Sequence, residues 1–304
     1  MTSKKPSDLQ RGIALLSVLW VLMLLTVIAS SLALTSRSLG QQTRNITNAQ
    51  QARLAAEAGI QLALFNLSMA PEQRAWLADG SPYHFLLDDT QIWVATFNDS
   101  GRIDVNGADQ ALLARLFRAA EVEDDLAAEL VDAILDWRDN DDLTRLNGAE
   151  YDDYIGAGRE QGPANAPFTT VAELQLVLGM TAEIYRRIRH ALTTHNPEND
   201  INPQFAPRLV LLSLPNVDET RVSQFIEDRR SHQKNGLPPP DPDLLSGQPS
   251  SRRRLGVNYT IHTEARIGTG HRHRLTATLR WQRGRPDIQR ITQEHLPLFT
   301  EPEL

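Results

Sequence analysis

The 304-residue chain contains no cysteine. This absence excludes disulfide bridges, thiol catalysis and cysteine-ligated metals, so rigidity has to come from packing or from a bound hard cation. The eight histidines are not arranged as HExxH, the spacing of a zinc metalloprotease helix. Acidic residues outnumber basic ones, and the formal net charge of -7 argues against nonspecific affinity for nucleic acid.

The longest apolar segment lies near the N-terminus, at residues 12–34, and contains no charged residue. A helix of about 20 residues crosses a hydrocarbon core of about 30 Å, so this run can span a bilayer. Lys4, Lys5 and Arg11 precede the run, and basic residues are sparser after it. The positive-inside rule therefore favours a cytoplasmic N-terminus.

Three kinds of N-terminal segment contain an apolar run. A secretory signal peptide has a shorter apolar core, of about 7 to 15 residues, and is removed from the mature protein. An ordinary signal anchor is kept uncut. The third kind is indicated by the junction Gln10-Arg11-Gly12-Ile13, where a basic leader ends in a glycine at the edge of the run.

This junction resembles the prepilin peptidase site of type IV pilins and pseudopilins. The resemblance implies a leader at 1–12, cleavage between Gly12 and Ile13, methylation of Ile13, and a transmembrane anchor at 13–34. Most pilins have a glutamate at the fifth mature position, which pairs with a neighbour's terminal amine in the lipid, but this chain has Ser17. The missing glutamate is typical of the K-type minor pseudopilins of type II secretion, which are thought to sit at the pseudopilus tip.

Residues 13–70 are predicted to form one long helix, because the stretch from 35 to 68 contains no proline and few strand formers. Apolar residues recur in it at three- and four-residue spacing. Such a stripe fits an amphipathic juxtamembrane helix or, alternatively, the exposed half of a pilin spine that packs on a sheet. The stripe consists of Leu54, Ala58, Leu62 and Phe65.

Two predicted sheet segments flank a helical block. The first segment, 71–103, contains strands at 83–87 and 91–98, and the second, 255–283, contains a hairpin with alternating apolar residues. Residues 104–231 are predicted to be an inserted all-helical domain that looks SAM-like or helix-hairpin-helix-like. Its helices are expected at 109–120, 123–137, 168–178, 181–192, 207–214 and 218–230. Residues 232–254 form a Pro/Ser-rich linker, and 284–304 a surface tail without periodicity.

Seven carboxylates are crowded together at the end of the helix predicted at 123–137 and in the segment that follows it. Crowded carboxylates repel one another unless their pKa values rise or a cation binds. Calcium takes six to eight oxygen ligands in flexible geometry, although the spacing here is not that of an EF-hand. A solvated acidic loop without an ion is the alternative. The seven residues are Asp136, Asp139, Asp141, Asp142, Glu150, Asp152 and Asp153.

The segments LVDAILDWRDNDD and NGAEYDDY resemble the K-type pseudopilin pattern, in which a helix ends in an acidic, tryptophan-containing segment. Family members are reported to bind calcium in this helical domain. The resemblance therefore implies a structural calcium ion held by a subset of the seven carboxylates. With the N-terminal junction, the GRIDVN segment and the C-terminal hairpin, it covers nearly the whole chain. The INPQFAP segment and the long proline-rich linker depart from the family pattern.

The sequence thus predicts an α+β pseudopilin fold, with a long N-terminal transmembrane helix packed on a small antiparallel sheet and a large helical insertion. The resemblance implies a noncatalytic minor pseudopilin that initiates or limits pseudopilus growth at the tip and supports export of folded proteins. It also implies a single-pass protein of the bacterial inner membrane, with a cytoplasmic N-terminus and a periplasmic bulk.

The resemblance further implies a set of partners. These are the I-type and J-type minor pseudopilins, the H-type as a further candidate, the major pseudopilin, prepilin peptidase, and the outer-membrane secretin or the exported protein. Nucleic acid is not among them. Two alternatives stay open: a membrane-anchored hydrolase that uses a carboxylate-bound metal, and a DNA-uptake pseudopilus tip protein that would bind duplex DNA in a salt-dependent way.

Overall fold

The structure is a computed structural model. It describes residues 9–241, 258–268, 270–282 and 284–295. Most of the predicted linker and the end of the predicted tail lie outside the described residues, as does the beginning of the predicted leader.

The N-terminal helix α1 (Leu9–Ser68) runs without interruption for 60 residues, about 90 Å at 1.5 Å per residue. It confirms the predicted long helix and contains the whole apolar run. Within the described ranges, α1 is the one helix that is long and apolar enough to cross a membrane. Its apolar half is exposed, as expected of a segment whose natural surroundings are lipid rather than protein.

The last third of α1 packs on a sheet through small side chains. Ala56 and Ala63 are fully buried against it. Gly59 permits the closest approach, because a Cβ atom there would meet the side chains of Thr263 and Val94 at 3.0 and 3.1 Å. The glycine that weakens the isolated helix therefore lets the helix axis approach the sheet.

The stripe predicted from spacing does not make this contact. Leu54, Leu62 and Phe65 are 62%, 41% and 61% exposed, so the prediction that the stripe packs on the sheet is wrong. Both faces of the helix carry apolar residues at helical spacing, and alanine gives a weaker signal than leucine. The sheet selects the alanine-rich face because small side chains allow closer packing. That face consists of Ala52, Ala55, Ala56, Ile60, Ala63, Leu64 and Leu67.

The strands confirm the two predicted sheet segments. Two short strands, β3 and β4, pair in parallel at the base of the helical insertion. The other five form one antiparallel sheet in the order β1-β2-β5-β6-β7, so the insertion interrupts it between two neighbouring strands. The strands are β1 (Asp79–Leu87), β2 (Thr90–Asn98), β3 (Ile103–Asp104), β4 (Leu192–Thr193), β5 (Asn258–Ile267), β6 (His271–Gln282) and β7 (Arg285–Gln293).

The fifth strand of this sheet lies in the predicted surface tail at 284–304, so part of that tail has regular structure that the sequence analysis did not predict. Arg285–Gln293 pairs antiparallel with β6, with Thr292 opposite Thr276. Eight of its nine side chains are exposed. An edge strand with little burial needs no alternation of apolar and polar residues. This strand is held by backbone hydrogen bonds, so the sequence shows no period-two pattern from which it could be predicted.

The inserted domain has a core of its own, separate from the core between α1 and the sheet. α2 packs on α3 and on α6, and α6 packs on α7. Side-chain caps fix three helix starts: Asp109 accepts a hydrogen bond from Leu112 N, Thr181 from Ile184 N, and Asp218 from Arg221 N. The helices are α2 (Gln110–Ala119), α3 (Asp124–Arg138), α4 (Tyr151–Gly156), α5 (Ala182–Ile188), α6 (Arg208–Leu212) and α7 (Glu219–Lys234).

Three helix predictions need correction. The helix expected at 168–178 is only a 3-10 segment, Val171–Leu176, and the one expected at 181–192 gives way after α5 to a 3-10 turn and β4. α7 continues to Lys234, past the predicted start of the linker. α4 lies in the stretch predicted as an acidic loop, where Asp153 accepts a hydrogen bond from the backbone of Glu150 at the helix start.

Candidate functional site

The last two turns of α3 aim two carboxylates into the protein. Asp132 and Asp136 lie four residues apart on one face of the helix and are 4% and 0% exposed. Asp132 accepts hydrogen bonds from the backbone N and Nδ2 of Asn147, both at 3.1 Å. Asp136 accepts from the backbone N of Arg145 at 3.2 Å and of Ala149 at 3.0 Å. The carboxylates at the end of α3 therefore hold the following loop through the backbone N–H groups of that loop.

Gly148 is the tightest point of this arrangement. A Cβ atom at that position would lie 1.9 Å from Asp136 Oδ2. No side chain larger than hydrogen fits there without moving either the loop or the carboxylate, so the Asn147-Gly148 sequence is required by the close approach.

Arg145 compensates the negative charge at the end of α3. Its Nη1 bridges Asp136 Oδ1 and Asp139 Oδ2. Hydrogen bonding to Asp139 and Asp136 raises the pKa of the Arg145 guanidinium. One arginine thus binds two of the seven predicted calcium ligands.

Glu150 has no such compensation. Its side chain is 5% exposed, and neither carboxylate oxygen has a hydrogen-bond partner in the part of the chain that the structure describes. Burial, together with the nearby charges of Asp136, Asp139, Asp142 and Asp141, raises the pKa of Glu150 to about 7. Oδ1 of Asp139 is also buried without a hydrogen-bond partner among the described residues. A buried carboxylate in such surroundings is stabilised either by a bound cation or by a proton.

The other predicted ligands have structural contacts of their own. Asp141 accepts a hydrogen bond from Leu143 N at 3.0 Å, and Asp142 accepts from Asn165 Nδ2 at 2.9 Å. Asp152 and Asp153 lie exposed in the first turn of α4, where carboxylates favour the helix dipole. Among the described residues, no three acidic or histidine side chains converge as they would around a metal ion.

The chemistry of the donor set nevertheless fits calcium. Carboxylate oxygens are the ligands that this hard cation prefers, and two members of the predicted set, Glu150 and Asp139, have buried oxygens without a hydrogen-bond partner among the described residues. Sequence reasoning missed Asp132 and Arg145. The i, i+4 spacing of Asp132 and Asp136 on the apolar side of α3 was the available signal for Asp132. Nothing in the linear pattern indicated that Arg145 would turn inward.

The predicted processing site lies at the other end of the molecule. Gly12 and Ile13 are both within α1, close to its first residue, and Ser17 is exposed one turn later.

A comparison with protein families identifies the chain. Residues 63–196, from the end of α1 to just past β4 and including the acidic segment, match the family described as Type II secretion system (T2SS), protein K. Over these residues the chain belongs to the protein K family of the type II secretion system. Together with the single apolar N-terminal helix of this chain, the match indicates a membrane-anchored protein. The matched family consists of secretion pseudopilins and is not known for catalysis.

Relatives in this family include the type II secretion system protein K of Klebsiella pneumoniae, which is 32% identical over 201 residues. That alignment covers 59% of this chain and 61% of the relative. The protein K of Dickeya chrysanthemi is 26% identical over 280 residues, covering 72% of this chain and 77% of the relative.

A solved structure supports the fold assignment. One chain of the crystal structure of the GspK-GspI-GspJ complex from the enterotoxigenic Escherichia coli type 2 secretion system superposes with a TM-score of 0.57. The match covers 84% of this chain and all of that chain, at 15% identity. At this identity the likeness concerns the fold, which confirms the predicted α+β pseudopilin architecture.

Proposed function

We propose that this chain is a minor pseudopilin that caps the tip of a type II secretion pseudopilus. The observation that carries the proposal is one unbroken helix, apolar for its first half, that packs by its other end on a five-stranded sheet interrupted by a large helical domain. The helix would serve as anchor and packing spine. The helical bulk would hinder addition of a further subunit above it, and it would face the outer-membrane channel or the exported protein.

The N-terminus supports this role through its resemblance to prepilins. Cleavage after Gly12 would place a methylated Ile13 at the start of the spine, with Ser17 at the fifth position. Without a carboxylate there, the subunit cannot pair with a neighbour's terminal amine in the lipid, where an unpaired charge is expensive. A subunit that cannot pair in this way suits the first position of an assembly, which follows no other subunit. With the leader in the cytoplasm and one membrane span, the domains that follow the span would lie in the periplasm.

The exposed stripe of α1 supplies a surface for assembly. Leu54, Leu62 and Phe65 are exposed on the side of the helix that faces away from the sheet. Exposed large apolar side chains in a contiguous row mark interaction sites. The partners of the stripe would be the helices of the I-type and J-type minor pseudopilins, as the composition of the GspK-GspI-GspJ complex suggests for its own subunits.

Cysteine crosslinking tests this assembly directly, because the chain has no cysteine of its own. Leu62→Cys should form a disulfide with a cysteine placed on the corresponding helix face of an I-type or J-type partner in membranes. Leu87→Cys at the end of β1 is the matched control, since Leu87 is 47% exposed but belongs to the sheet. Crosslinks from Leu87→Cys alone would refute the role of the stripe.

We also propose that the acidic segment binds calcium as a structural ion. Support comes from both carboxylate oxygens of Glu150 and from Oδ1 of Asp139, which are buried without a hydrogen-bond partner among the described residues. Arg145 would yield its place beside Asp136 and Asp139 to the ion. A cation there would offset the repulsion that raises the pKa of Glu150. The ion would thereby fix the loop between α3 and α4, in a domain without disulfides.

A further inference from the structure

The five-stranded sheet ends in two outer strands, β1 and β7, and the two edges are built differently. Among the described residues, no further strand pairs with either of them. An edge strand turns the N–H and C=O groups of every second residue outward, where another strand can pair with them. Natural proteins prevent unwanted pairing with charged side chains, proline and bulges. An edge that lacks these devices is therefore a candidate pairing site.

The edge formed by β7 carries such devices along most of its length. The pairing of β7 with β6 is irregular between Thr278 and Leu279, which interrupts the regular ladder. Charged side chains and a proline lie on both sides of this irregularity. These residues are Arg285, Pro286, Asp287 and Arg290. β7 is thus protected against a further strand.

The edge formed by β1 lacks these devices over the second half of the strand. Pro82 and an irregularity between Asp79 and Pro82 affect only its beginning. From 83 to 87 the sequence is YHFLL, without proline and without an acidic, lysine or arginine side chain. Leu86 is 65% exposed and Leu87 47%, on opposite faces of the strand. The outer side of 83–87, called the open edge below, is therefore an apolar template for a second strand.

Trp76 holds the open edge in its extended shape. Its ring stacks on the ring of Tyr83, with 5.3 Å between the centroids, and on that of Phe85, at 6.2 Å. The backbone N–H of Leu77 donates to the hydroxyl oxygen of Tyr83 at 2.8 Å. Because these contacts order the strand before a partner arrives, adding another strand costs less conformational entropy.

The two ends of the open edge carry opposite charges. Asp88 and Asp89 are exposed in the turn that follows β1. At the other end Arg230 is exposed and shares a cavity of about 260 Å³ with Ser81 and Pro82. The best-fitting strand is therefore apolar in its middle, with a basic residue beside the two aspartates and an acidic residue beside Arg230.

The direction of the anchor helix excludes a second copy of this chain as the partner. Gly59 lies against Thr263, while burial and then the charge of Arg53 lower the pKa of His273, near the β5–β6 turn. α1 thus runs along the strands, away from that turn. Two copies joined antiparallel at 83–87 would be related by a two-fold axis normal to the sheet, so their anchors would point in opposite directions and could not share one membrane.

From this arrangement we propose that the open edge of β1 pairs with an outer strand of a neighbouring minor pseudopilin anchored in the same membrane. This inference deepens the assembly role and rests on it, because such neighbours exist only if the chain is a pseudopilin. Backbone hydrogen bonds would join the two sheets and set the height of the neighbour relative to this subunit. The apolar stripe of α1 would supply area for the same assembly without fixing that height.

The test measures amide hydrogen exchange by mass spectrometry in the full-length chain, alone and in complex with full-length I-type and J-type subunits of the same system. The rapidly exchanging amides of 83–87 should slow at least about tenfold in the complex, because the added strand accepts their hydrogen bonds. The amides of β7 should exchange as in the free chain. Unchanged exchange at 83–87 in a complex that has formed would overturn the proposal. Complexes with one subunit at a time assign the strand to the I-type or the J-type partner.

A matched pair of variants places a lysine on each edge. Leu86→Lys should weaken the complex at least about tenfold, because a lysine on an edge strand opposes pairing. Ile291→Lys on β7, where Ile291 is 51% exposed, should leave the affinity unchanged. Both positions are exposed, so both variants should keep the melting temperature of the parent chain. Equal weakening by the two changes would overturn the proposal.

A crosslink through α1 separates failure of this contact from failure of the assembly role. Leu62→Cys reports assembly through the stripe and does not involve β1. A crosslink from Leu62→Cys with no slowing at 83–87 would overturn the edge contact and leave the assembly role intact. Absence of both would overturn the two together. Slowing at 83–87 caused by self-association, or by an exported protein without the I-type and J-type subunits, would give the edge to another occupant and contradict the proposal.

Discussion

Arg229 on α7 and Asp79 at the start of β1 form a buried ion pair, with 2.6 Å between Nη2 and Oδ2. Their side chains are 3% and 1% exposed. Nη1 of the same arginine donates to the carbonyl oxygens of Pro203, Gln204 and Ala206. One guanidinium therefore connects the last helix of the insertion, the loop before α6, and the sheet.

Removing either partner of this pair should destabilise the protein strongly. Asp79→Asn leaves a buried guanidinium without its counter-charge, which costs about 3–5 kcal/mol. Arg229→Met should cost at least as much, because the carboxylate and the carbonyl groups all lose their donor. Chemical unfolding measures both free energies.

The exposed pair Arg208–Glu219 is the control for this measurement. Its side chains are 45% and 78% exposed, so Glu219→Gln should change the free energy of unfolding by less than about 1 kcal/mol. A loss for Asp79→Asn no larger than that of the control would show that the pair does not join the two units.

Two glycines next to the acidic segment should respond in opposite ways to alanine. Gly148→Ala forces a methyl group against Asp136 Oδ2 and should destabilise by about 1–3 kcal/mol. Gly156→Ala at the end of α4 meets open space and should be neutral or stabilise by up to about 1 kcal/mol, because alanine favours helix. Thermal unfolding of the two variants tests this difference. Similar melting temperatures would contradict the close approach at Gly148.

His190 should make the protein sensitive to acid. The ring stacks on Phe97 at 5.7 Å, and burial, followed by the charges of Arg189 and Arg102, lowers its pKa from 6.5 to about 3. The contribution of His190 to the free energy of unfolding is complete above about pH 6.5, where its ring is neutral in both the folded and the unfolded state. This contribution is lost as the pH falls towards 3, because the ring binds a proton in the unfolded state but not in the folded state. The slope contributed by one such group is at most about 1.4 kcal/mol per pH unit.

His190→Gln tests this dependence. The variant should unfold with a shallower loss of free energy between about pH 6 and about pH 4 than the parent chain, whatever its stability at neutral pH. His232→Gln on the exposed end of α7 serves as the control. Parallel curves for the parent and His190→Gln would show that this ring does not remain neutral in the folded state.

Calcium should stabilise the parent chain against unfolding, and it should stabilise the Glu150→Gln variant less. A ligand at about 100 times its Kd raises the free energy of unfolding by about 2.7 kcal/mol. Glu150→Gln should abolish most of that gain because it removes a buried carboxylate whose two oxygens have no hydrogen-bond partner among the described residues, whereas Glu129→Gln on the exposed side of α3 should keep it. Binding should also strengthen from about pH 6 to about pH 8, since calcium has to displace the proton of Glu150.

Differential scanning calorimetry with calcium, with magnesium and with chelator measures these effects. No upward shift at millimolar calcium in the parent chain would defeat the calcium proposal, and turnover of an ester or phosphoester that Glu150→Gln abolishes would revive the hydrolase alternative.

Periodicity was enough to predict the parts of this fold in which one face alone is buried. The hairpin of β5 and β6 and helix α3 follow from spacing, because their core faces repeat at strand or helical periods. The long helix follows from its apolar run and its lack of proline, whereas the spacing of its large apolar residues indicated the exposed face. The position of the acidic segment followed from composition. The inward turn of Arg145 did not, because that contact depends on where the loop after α3 folds back.

The burial of the sheet face opposite α1 could not be predicted from the sequence, for a related reason. His262, Thr276 and Thr260 alternate with the apolar residues of their strands, which predicts solvent exposure. They are buried or nearly so, because the insertion covers that face. A polar face covered by a second unit leaves no sign in a single strand's pattern, so neither the burial of this face nor the edge strand β7 could be predicted from the sequence.

The most direct test of the pseudopilin assignment is the intact mass and N-terminal sequence of the chain recovered from membranes that contain prepilin peptidase. The account predicts a chain that starts with methylated Ile13, and a full-length chain when Gly12 is replaced by leucine. An uncut parent chain with its original methionine would contradict the account, because the helix would then be an ordinary signal anchor.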